Sequence, residues 1–409
     1  MLAYVLLWMV LWAMVGGVMT PRIYARKDLD VANTGLAGAL MGAALGPFGL
    51  ALLWWRSPKL TGRWLATPGV LAVLLFAAAF ARTYPGNLCV SNGSFVVTQV
   101  VNGLILGLIY GLMALGLTLI FSILGVVSFS HGEFYMIGGM LVYYMSVVWL
   151  PGLNPLVALV GAALITFLIG VVFERLFLRV MNTGQVERPG EYAILVTFGL
   201  AFFLQYLTLA LVGATPKKAP RFLDYPRLDW PSPENPWLLR MRAGTVEFLD
   251  TVSIATPRVT AALIAMVMLL ILMWFLYRTW IGKALRAVSE DRQAAAVTGI
   301  NPDTMNTLAF GMGTMLAGLS GASLVQVFSW VPWVGTLASA RAFVIIVLGG
   351  MGSLPGAFVG GLIVGLVEAL GAGCIPDPQR AAAYIPAYGM VILTLVLLLK
   401  PTGLFGREL

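Results

Sequence analysis

Apolar stretches of about twenty residues recur along almost the whole of this 409-residue chain, and each is long enough to cross a bilayer as a helix. Hydrophobic residues make up 60% of the chain and charged residues 10%, whereas a soluble domain carries about 25% charged residues. Within a bilayer the backbone must satisfy its own hydrogen bonds, as an α-helix does. The sequence therefore predicts an all-α fold, a polytopic transmembrane helical bundle.

Eleven apolar segments are candidate membrane spans. They are residues 1–19, 31–55, 65–81, 96–120, 132–150, 155–180, 191–213, 258–277, 302–330, 341–371 and 383–399. The first has no basic start and no small-residue cleavage site, so we interpret it as a helix and not as a signal peptide. The segment 341–371 is long and contains several glycines and Pro355, which predicts two helices that meet at a break.

Lysine and arginine in short loops predict the orientation of the helices. Basic clusters lie at residues 175–188, 278–292 and 400–407, and we place all three in the cytoplasm. The loop 214–256 then lies outside, and its prolines argue against long helices there.

Residues 96–409 look like the transporting core of the chain, the transmembrane domain. Residues 1–95 look like an appended membrane extension of two or three helices. The orientation of this extension is open, because two basic clusters within it compete for the cytoplasmic side.

Several chemistries are poorly supported by the sequence. A single histidine, His131, and two cysteines, Cys89 and Cys374, form no metal-binding pattern, so we expect no metal and no cofactor. Both cysteines face outward in this topology, where a disulfide can form, and the sequence leaves their pairing open. The excess of 25 basic over 17 acidic residues lies in loops and does not indicate nucleic-acid binding.

Small residues recur at helical spacing in two regions. Gly103, Gly107 and Gly111 share one helix face, and a similar pattern follows in residues 356–365, which predicts close packing between helices. The sequence from Gly318 to Gly321 matches the G-x-S-G motif of intramembrane serine proteases, whose histidine base follows the motif. Because His131 precedes it, we interpret this motif as packing and expect no catalytic residue.

The first interruption of the apolar pattern is a polar segment, Ser128-Phe129-Ser130-His131-Gly132-Glu133. Ionisable groups at membrane depth are candidates for function. The simpler alternative is a helix start, because Ser130 and Glu133 have the spacing of a capping box. The two interpretations are compatible, since a helix N-terminus inside the membrane offers N–H groups to an anion.

The second interruption contains Gly349, Gly350, Gly352 and Ser353, with Ser353 as a possible helix cap. Paired interruptions of this kind occur along solute paths in transporters. The sequence leaves a pathway and plain helix geometry as equal alternatives. Two charged residues within predicted spans, Arg341 and Glu368, are expected to face the protein interior or a polar path, paired with each other or with backbone.

Residues 279–301 form a charged, alanine-rich loop that predicts a short amphipathic helix in the cytoplasm. Such a helix suits docking onto a soluble partner, and the alternative is a solvated connector. The chain contains no G-x-x-x-x-G-K-[ST] sequence for binding ATP phosphates. Any energy from ATP must therefore come from a partner.

These motifs together resemble one known family. Val101 to Leu117 and Ser128 to Phe134 resemble the opening of branched-chain amino acid ABC permeases, and residues 282–300 and 348–365 resemble later parts of that family. The resemblance covers nearly all of residues 96–405. It implies a type II-like ABC importer permease with broken helices, in the bacterial plasma (inner) membrane.

The resemblance also implies partners and a coupling element. The expected partners are a second permease subunit, two ATP-binding cassette ATPase subunits, a periplasmic or extracellular solute-binding protein and the lipid bilayer. Residues 279–301 would couple to the ATPase, with contact residues Lys283, Arg286, Glu290, Asp291, Gln293, Ala294 and Gly299. The stretch from Gln293 to Gly299 is similar to the E-A-A-x-x-x-G signature, but glutamine replaces its acid and no I-x-L-P follows.

The resulting hypothesis is alternating access, in which ATP-driven movement of the loop 279–301 shifts the helices near 128–133 and 349–356. The family moves branched-chain amino acids, urea, short amides and other amino acids, and the sequence does not distinguish these solutes. The alternative is an ATP-independent channel or secondary transporter for a small polar solute, which would use the same broken helices without a docking loop.

Overall fold

A computed structural model of the chain describes residues 2–26, 34–46, 49, 53, 89, 92–182, 186–223, 228–230, 239–242, 244–248, 252–374 and 378–406. Among these residues, six helices are long and apolar enough to cross a membrane, and shorter apolar helices accompany them. The predicted polytopic helical bundle is confirmed.

The α-helices are named here in chain order. They are α1 (Leu2–Arg26), α2 (Thr34–Leu45), α3 (Gly93–Leu124), α4 (His131–Tyr143), α5 (Pro155–Phe173), α6 (Pro189–Val212), α7 (Thr256–Arg278), α8 (Trp280–Glu290), α9 (Arg292–Val297), α10 (Pro302–Leu324), α11 (Val334–Gly349), α12 (Leu354–Cys374) and α13 (Pro378–Leu399). A π-helical segment, Tyr144–Trp149, extends α4, and segments Glu174–Leu178 and Arg179–Asn182 extend α5.

Most predicted spans coincide with helices. The segment 341–371 divides into α11 and α12, as its glycines and proline predict, but α11 already begins at Val334. The predicted span 65–81 and part of the span 31–55 lie outside the described residues.

Local sequence signals explain where several helices begin. The side chain of Asn154 accepts a hydrogen bond from the backbone of the first turn of α5, and Asn301 does the same for α10. In both helices proline follows the asparagine, at the first helical position, where its missing N–H costs nothing. Asp291 caps α9 in the same way.

Helix α12 packs through glycine against a neighbour on each side. Gly365 contacts the backbone of Gly107 in α3, and Gly356 contacts the backbone of Gly349 in α11. A Cβ atom at Gly107 would lie 2.7 Å from the Cα of Leu362, which leaves no room for a side chain. The predicted close packing is confirmed, and it serves two different helix pairs.

Helix α10 is buried along most of its length. A Cβ atom at Gly318 would meet Thr166 of α5, and one at Gly321 would meet the carbonyl of Tyr135 in α4. The hydroxyl of Ser320 donates to the carbonyl of Leu316. The G-x-S-G motif is therefore a packing motif, as its order relative to His131 indicates.

The loop after α6 contains a small antiparallel sheet. Its strands are β1 (Leu228–Trp230), β2 (Leu239–Arg242), β3 (Thr245–Phe248) and β4 (Val252–Ala255), paired in chain order. Val246 of β3 pairs with Ile254 of β4, and both side chains are buried. The described residues of this loop that precede α7 contain no helix, as its prolines indicate, but the prolines do not predict the sheet.

The chain forms two compact units. One comprises Met1–Val96, Gly371–Tyr384 and Thr394–Pro401, and the other comprises Val97–Leu370, Ile385–Leu393 and Thr402–Leu409. Within the first unit Cys89 and Cys374 form a disulfide, with Cα atoms 5.3 Å apart across 285 residues of sequence. The pairing that the sequence leaves open is thus present in the structure.

The glycine contacts of α12 generate a stability prediction. Gly107→Ala places a methyl group against the backbone of α12, and overpacking of this kind costs about 1–3 kcal/mol. We expect a lower melting temperature in detergent, measured by fluorescence-detected size exclusion. The matched control is Gly199→Ala in α6, an exposed helical glycine where an added methyl group would have nothing within 4 Å. There alanine favours the helix by up to about 1 kcal/mol. An equal decrease in melting temperature in both variants would therefore contradict the prediction.

The disulfide generates a labelling prediction. We expect a maleimide-polyethylene glycol reagent to leave the denatured, unreduced protein unmodified and to add two labels after reduction, because the chain has only these two cysteines. Cys374→Ser should leave Cys89 reactive without reductant. Labelling of the unreduced wild type on a denaturing gel would show that the bond is absent.

Candidate functional site

The polar segment Ser128–Glu133 comprises the end of the connection between α3 and α4 and the first turn of α4, inside the protein. The chain leaves α3 through Gly125, whose φ of +70° is a conformation that favours glycine. The side chains of Ser128, Ser130 and His131 are fully buried, and Glu133 is 2% exposed. The predicted polar groups are therefore enclosed by protein and not by solvent.

Ser339 of α11 holds this segment in place. Its hydroxyl donates to the carbonyl of Phe129 over 3.1 Å and accepts from the N–H of Gly132 over 2.9 Å. A Cβ atom at Gly132 would collide with Ser339 and with the carbonyl of Gly335, so glycine is required at this contact. No sequence motif marks Ser339 for this role, because its partners lie more than two hundred residues away.

The predicted capping box is wrong. Ser130 has helical backbone angles, φ −77° and ψ −2°, and its side chain makes no capping hydrogen bond, whereas a capping serine needs extended angles. Its hydroxyl lies 3.1 Å from that of Ser128. The N–H groups of Glu133 and Phe134 donate to the carbonyl of Ser130. The N–H of Gly132 donates to Ser339. The N–H groups of Gly132, Glu133 and Phe134 therefore all have partners within the protein and are not free to bind an anion.

Two polar atoms in this segment lack hydrogen-bond partners. Nε2 of His131 lies 2.9 Å from the carbonyl of Met113 and must donate to it, which leaves Nδ1 as an unpaired acceptor. Oε2 of Glu133 is also unpaired. The carboxylate lies against Gly335, where a Cβ atom would come within 2.6 Å of the Glu133 Cδ. Unpaired buried groups of this kind are costly and call for an explanation.

The second interruption is a tight turn between α11 and α12. Gly350 and Gly352 have φ values of +100° and +84°. Ser353 accepts a hydrogen bond from the N–H of Gly356 over 3.2 Å, so its predicted role as a cap is confirmed. Residues near the C-terminus cover the turn, because the N–H groups of Leu404 and Phe405 donate to the carbonyls of Leu348 and Gly349, each over 2.9 Å.

One helix connects the two interruptions. Ser339, which binds the first interruption, lies near the start of α11, and Gly349 at its end begins the second. Ten residues separate them, which is about 15 Å along a helix axis. No hydrogen bond among the described residues joins the two interruptions directly.

The loop 279–301 contains the predicted amphipathic helix, α8, followed by the short helix α9. The apolar side of α8, with Leu285 and Val288, is buried against the rest of the chain. Arg286 turns back onto α7, where its Nε donates to the carbonyl of Leu276. The other proposed contact residues are exposed: Lys283, Glu290, Asp291, Gln293, Ala294 and Gly299. Val297 is 89% exposed, and no sequence motif marks this position.

Arg341 of α11 and Glu368 of α12 form an ion pair with 3.0 Å between Nε and Oε1, so their predicted pairing is confirmed. In the described residues no group of three or more histidine, cysteine, aspartate or glutamate side chains could hold a metal ion.

The membrane-spanning helices and the enclosed polar interruption define a multi-pass membrane permease. A family model described as the branched-chain amino acid transport system permease component matches residues 99–400. The chain therefore belongs to this family. It is a permease subunit of an ABC importer of the inner membrane, and such subunits work with ATPase and binding-protein partners.

Several characterised permeases are similar to this chain. The high-affinity branched-chain amino acid permease LivH of Escherichia coli K12 is 32% identical over 321 residues, which cover 76% of this chain and 96% of LivH. BraD of Pseudomonas aeruginosa is 31% identical over 76% of this chain and 95% of its own length. The fructose import permease FrcC of Rhizobium meliloti is 33% identical over 29% of this chain and 36% of its own length.

The contacts of Ser339 generate a prediction. Ser339→Ala leaves the partly buried N–H of Gly132 and carbonyl of Phe129 without partners, at a cost of up to about 1–3 kcal/mol for each unsatisfied group. We expect a melting temperature several degrees lower and reduced transport. The control is Ser289→Ala, which removes an exposed hydroxyl bonded to the carbonyl of Arg286. Wild-type melting temperature and transport in both variants would show that Ser339 does not hold the segment Ser128–Glu133 in place.

Proposed function

We propose that this chain forms one side of the translocation path for branched-chain amino acids or related small polar solutes. The observation that carries the proposal is the buried polar segment Ser128–Glu133, fastened to α11 by Ser339 and containing two unpaired polar atoms. The names of LivH and BraD support the solute class. The proposed path residues are Ser128, Ser130, His131, Gly132, Glu133, Gly349, Gly350, Gly352 and Ser353.

Helix α11 is the proposed moving element of the path. It contacts the first interruption at its start and forms the second at its end, so a displacement of α11 would alter both. Gly335 covers the carboxylate of Glu133 in this structure. Movement of α11 away from α4 would uncover the carboxylate, which is what alternating access requires.

The loop 279–301 is the proposed coupling element on the cytoplasmic side, with the loop 214–256 outside. The exposed acidic residues of the loop 279–301 and Val297 would contact an ATPase subunit. The buried apolar side of the same loop would transmit motion to α7 and α10. We propose a complex with a second permease subunit, two ATPase subunits and one solute-binding protein. Residues 1–95 remain a proposed membrane extension of the transporting core, residues 96–409.

Uptake by the reconstituted complex tests this function. Liposomes with the chain, its partners and internal ATP should accumulate radiolabelled L-leucine, and the double variant Glu290→Lys with Asp291→Asn should lower uptake at least ten-fold. Asparagine caps a helix as well as aspartate does, so Asp291→Asn keeps the start of α9 intact.

The matched control for this uptake experiment is Glu187→Lys, a charge reversal at an exposed residue of another loop on the same proposed side. We expect it to preserve uptake and copurification with the ATPase. An equal loss of uptake in Glu187→Lys and in the double variant, or full uptake in the double variant, would contradict the assignment of the loop 279–301 as the coupling element. Uptake by the purified chain alone, driven by a gradient, would contradict the dependence on ATP.

A further inference from the structure

A buried charge cluster joins three helices. Nε of Arg341 in α11 donates to Oε1 of Glu368 in α12, and the hydroxyl of Tyr110 in α3 donates to Oε2 over 3.0 Å. The guanidinium carbon lies 5.5 Å from the centre of the Tyr110 ring. The side chain of Glu368 is 4% exposed and that of Arg341 is 24% exposed. Part of the Arg341 side chain is thus accessible, whereas the Glu368 side chain is almost fully buried.

Helix packing alone does not account for this cluster. Burying two charges costs several kcal/mol per ion, and apolar residues of similar size often stabilise a protein as well or better. The same helices already touch backbone to backbone through Gly107, Gly365, Gly349 and Gly356. Ionisable residues within membrane spans commonly mark a solute path.

A cavity of about 40 Å³ adjoins the ion pair. Its walls include Arg341, Glu368, Leu337, Val344, Val364 and Met390. One buried water needs roughly 10–15 Å³, so the cavity has room for a small polar group but not for a whole amino acid. Leu337 and Met390 are 47% and 51% exposed, which places apolar surface at the mouth of the cavity.

The ion pair has unused hydrogen-bonding capacity on the side of Arg341. Among the described residues, only Nε of this side chain makes a hydrogen bond, and the two terminal nitrogens, Nη1 and Nη2, make none. A guanidinium offers its terminal N–H groups in a planar fork that matches a carboxylate. Each oxygen of Glu368 accepts one hydrogen bond and has a lone pair left for a donor.

We propose that Arg341 binds the carboxylate of the transported amino acid in this cavity, and that Glu368 accepts a hydrogen bond from its ammonium group. The aliphatic side chain then lies against Leu337 and Met390. This inference rests on the proposed function and narrows it, because urea, amides and sugars have no carboxylate to offer. The site selects aliphatic α-amino acids over solutes that have no carboxylate.

Ligand binding to the purified full-length chain tests the site independently of transport. L-leucine and 4-methylpentanoate should each raise the melting temperature by about 2 °C or more at saturating concentration, whereas 4-methylpentanamide should not. The shift should disappear in Arg341→Gln. It should persist in Arg258→Gln, a matched loss of a half-buried arginine that bonds Asn102. Equal stabilisation by the amide, or a persistent shift in Arg341→Gln, would overturn the proposal.

Uptake by the complete complex distinguishes binding from a structural role. Arg341→Gln leaves Glu368 buried without its partner and can impair folding, so the decisive variant is Arg341→Gln combined with Glu368→Gln, which restores neutrality. A purely structural pair predicts recovery of leucine uptake in this double variant. The proposed site predicts a loss of at least ten-fold, with normal ATPase copurification, and recovery would overturn it.

The two proposals fail in different ways in these experiments. If the wild-type complex did not transport leucine while 4-methylpentanoate still stabilised the chain through Arg341, the proposed function would fail and the carboxylate site would stand. If leucine were transported equally well by the neutral double variant, the site would fail and the proposed function would stand.

Discussion

Direct contact between glycine backbones fixes α12 between α3 and α11, and the buried charge cluster and the turn between α11 and α12 depend on this contact. Lipid tails are as apolar as the side chains they surround, so helices in a bilayer gain little from hydrophobic association and associate through close packing. Glycine on both sides of α12 permits that approach. At this distance Glu368 of α12 reaches both Arg341 of α11 and Tyr110 of α3.

Helix α11 then connects the parts that we propose as the solute path and binding site. Its first turns hold the polar segment before α4 through Ser339, its middle carries Arg341, and its end forms the turn into α12. A rigid helix cannot shift at one of these points without moving the others. Oε2 of Glu133 lies buried and unpaired beneath Gly335, and the proposed movement of α11 would uncover it.

The sequence was informative where the determining pattern is local. Glycines four residues apart predicted close packing, and the glycines around residue 350 together with Pro355 predicted the division into α11 and α12. Prediction failed where a distant residue decides the outcome. Ser130 has capping spacing, but the hydroxyl that binds the first turn of α4 comes from Ser339. The apolar side of α8 packs on its own chain, which periodicity cannot distinguish from a partner. The sheet after α6 depends on pairing between short strands.

The turn between α11 and α12 has a consequence for the order of folding. Two of its backbone carbonyls, those of Leu348 and Gly349, are paired by the N–H groups of Leu404 and Phe405, which follow α13 in the chain. During synthesis these carbonyls remain without their final donors until all of α13 has been made. The turn can thus reach its final hydrogen bonding only after α13 has been synthesised, because its donors follow Leu348 by more than fifty residues.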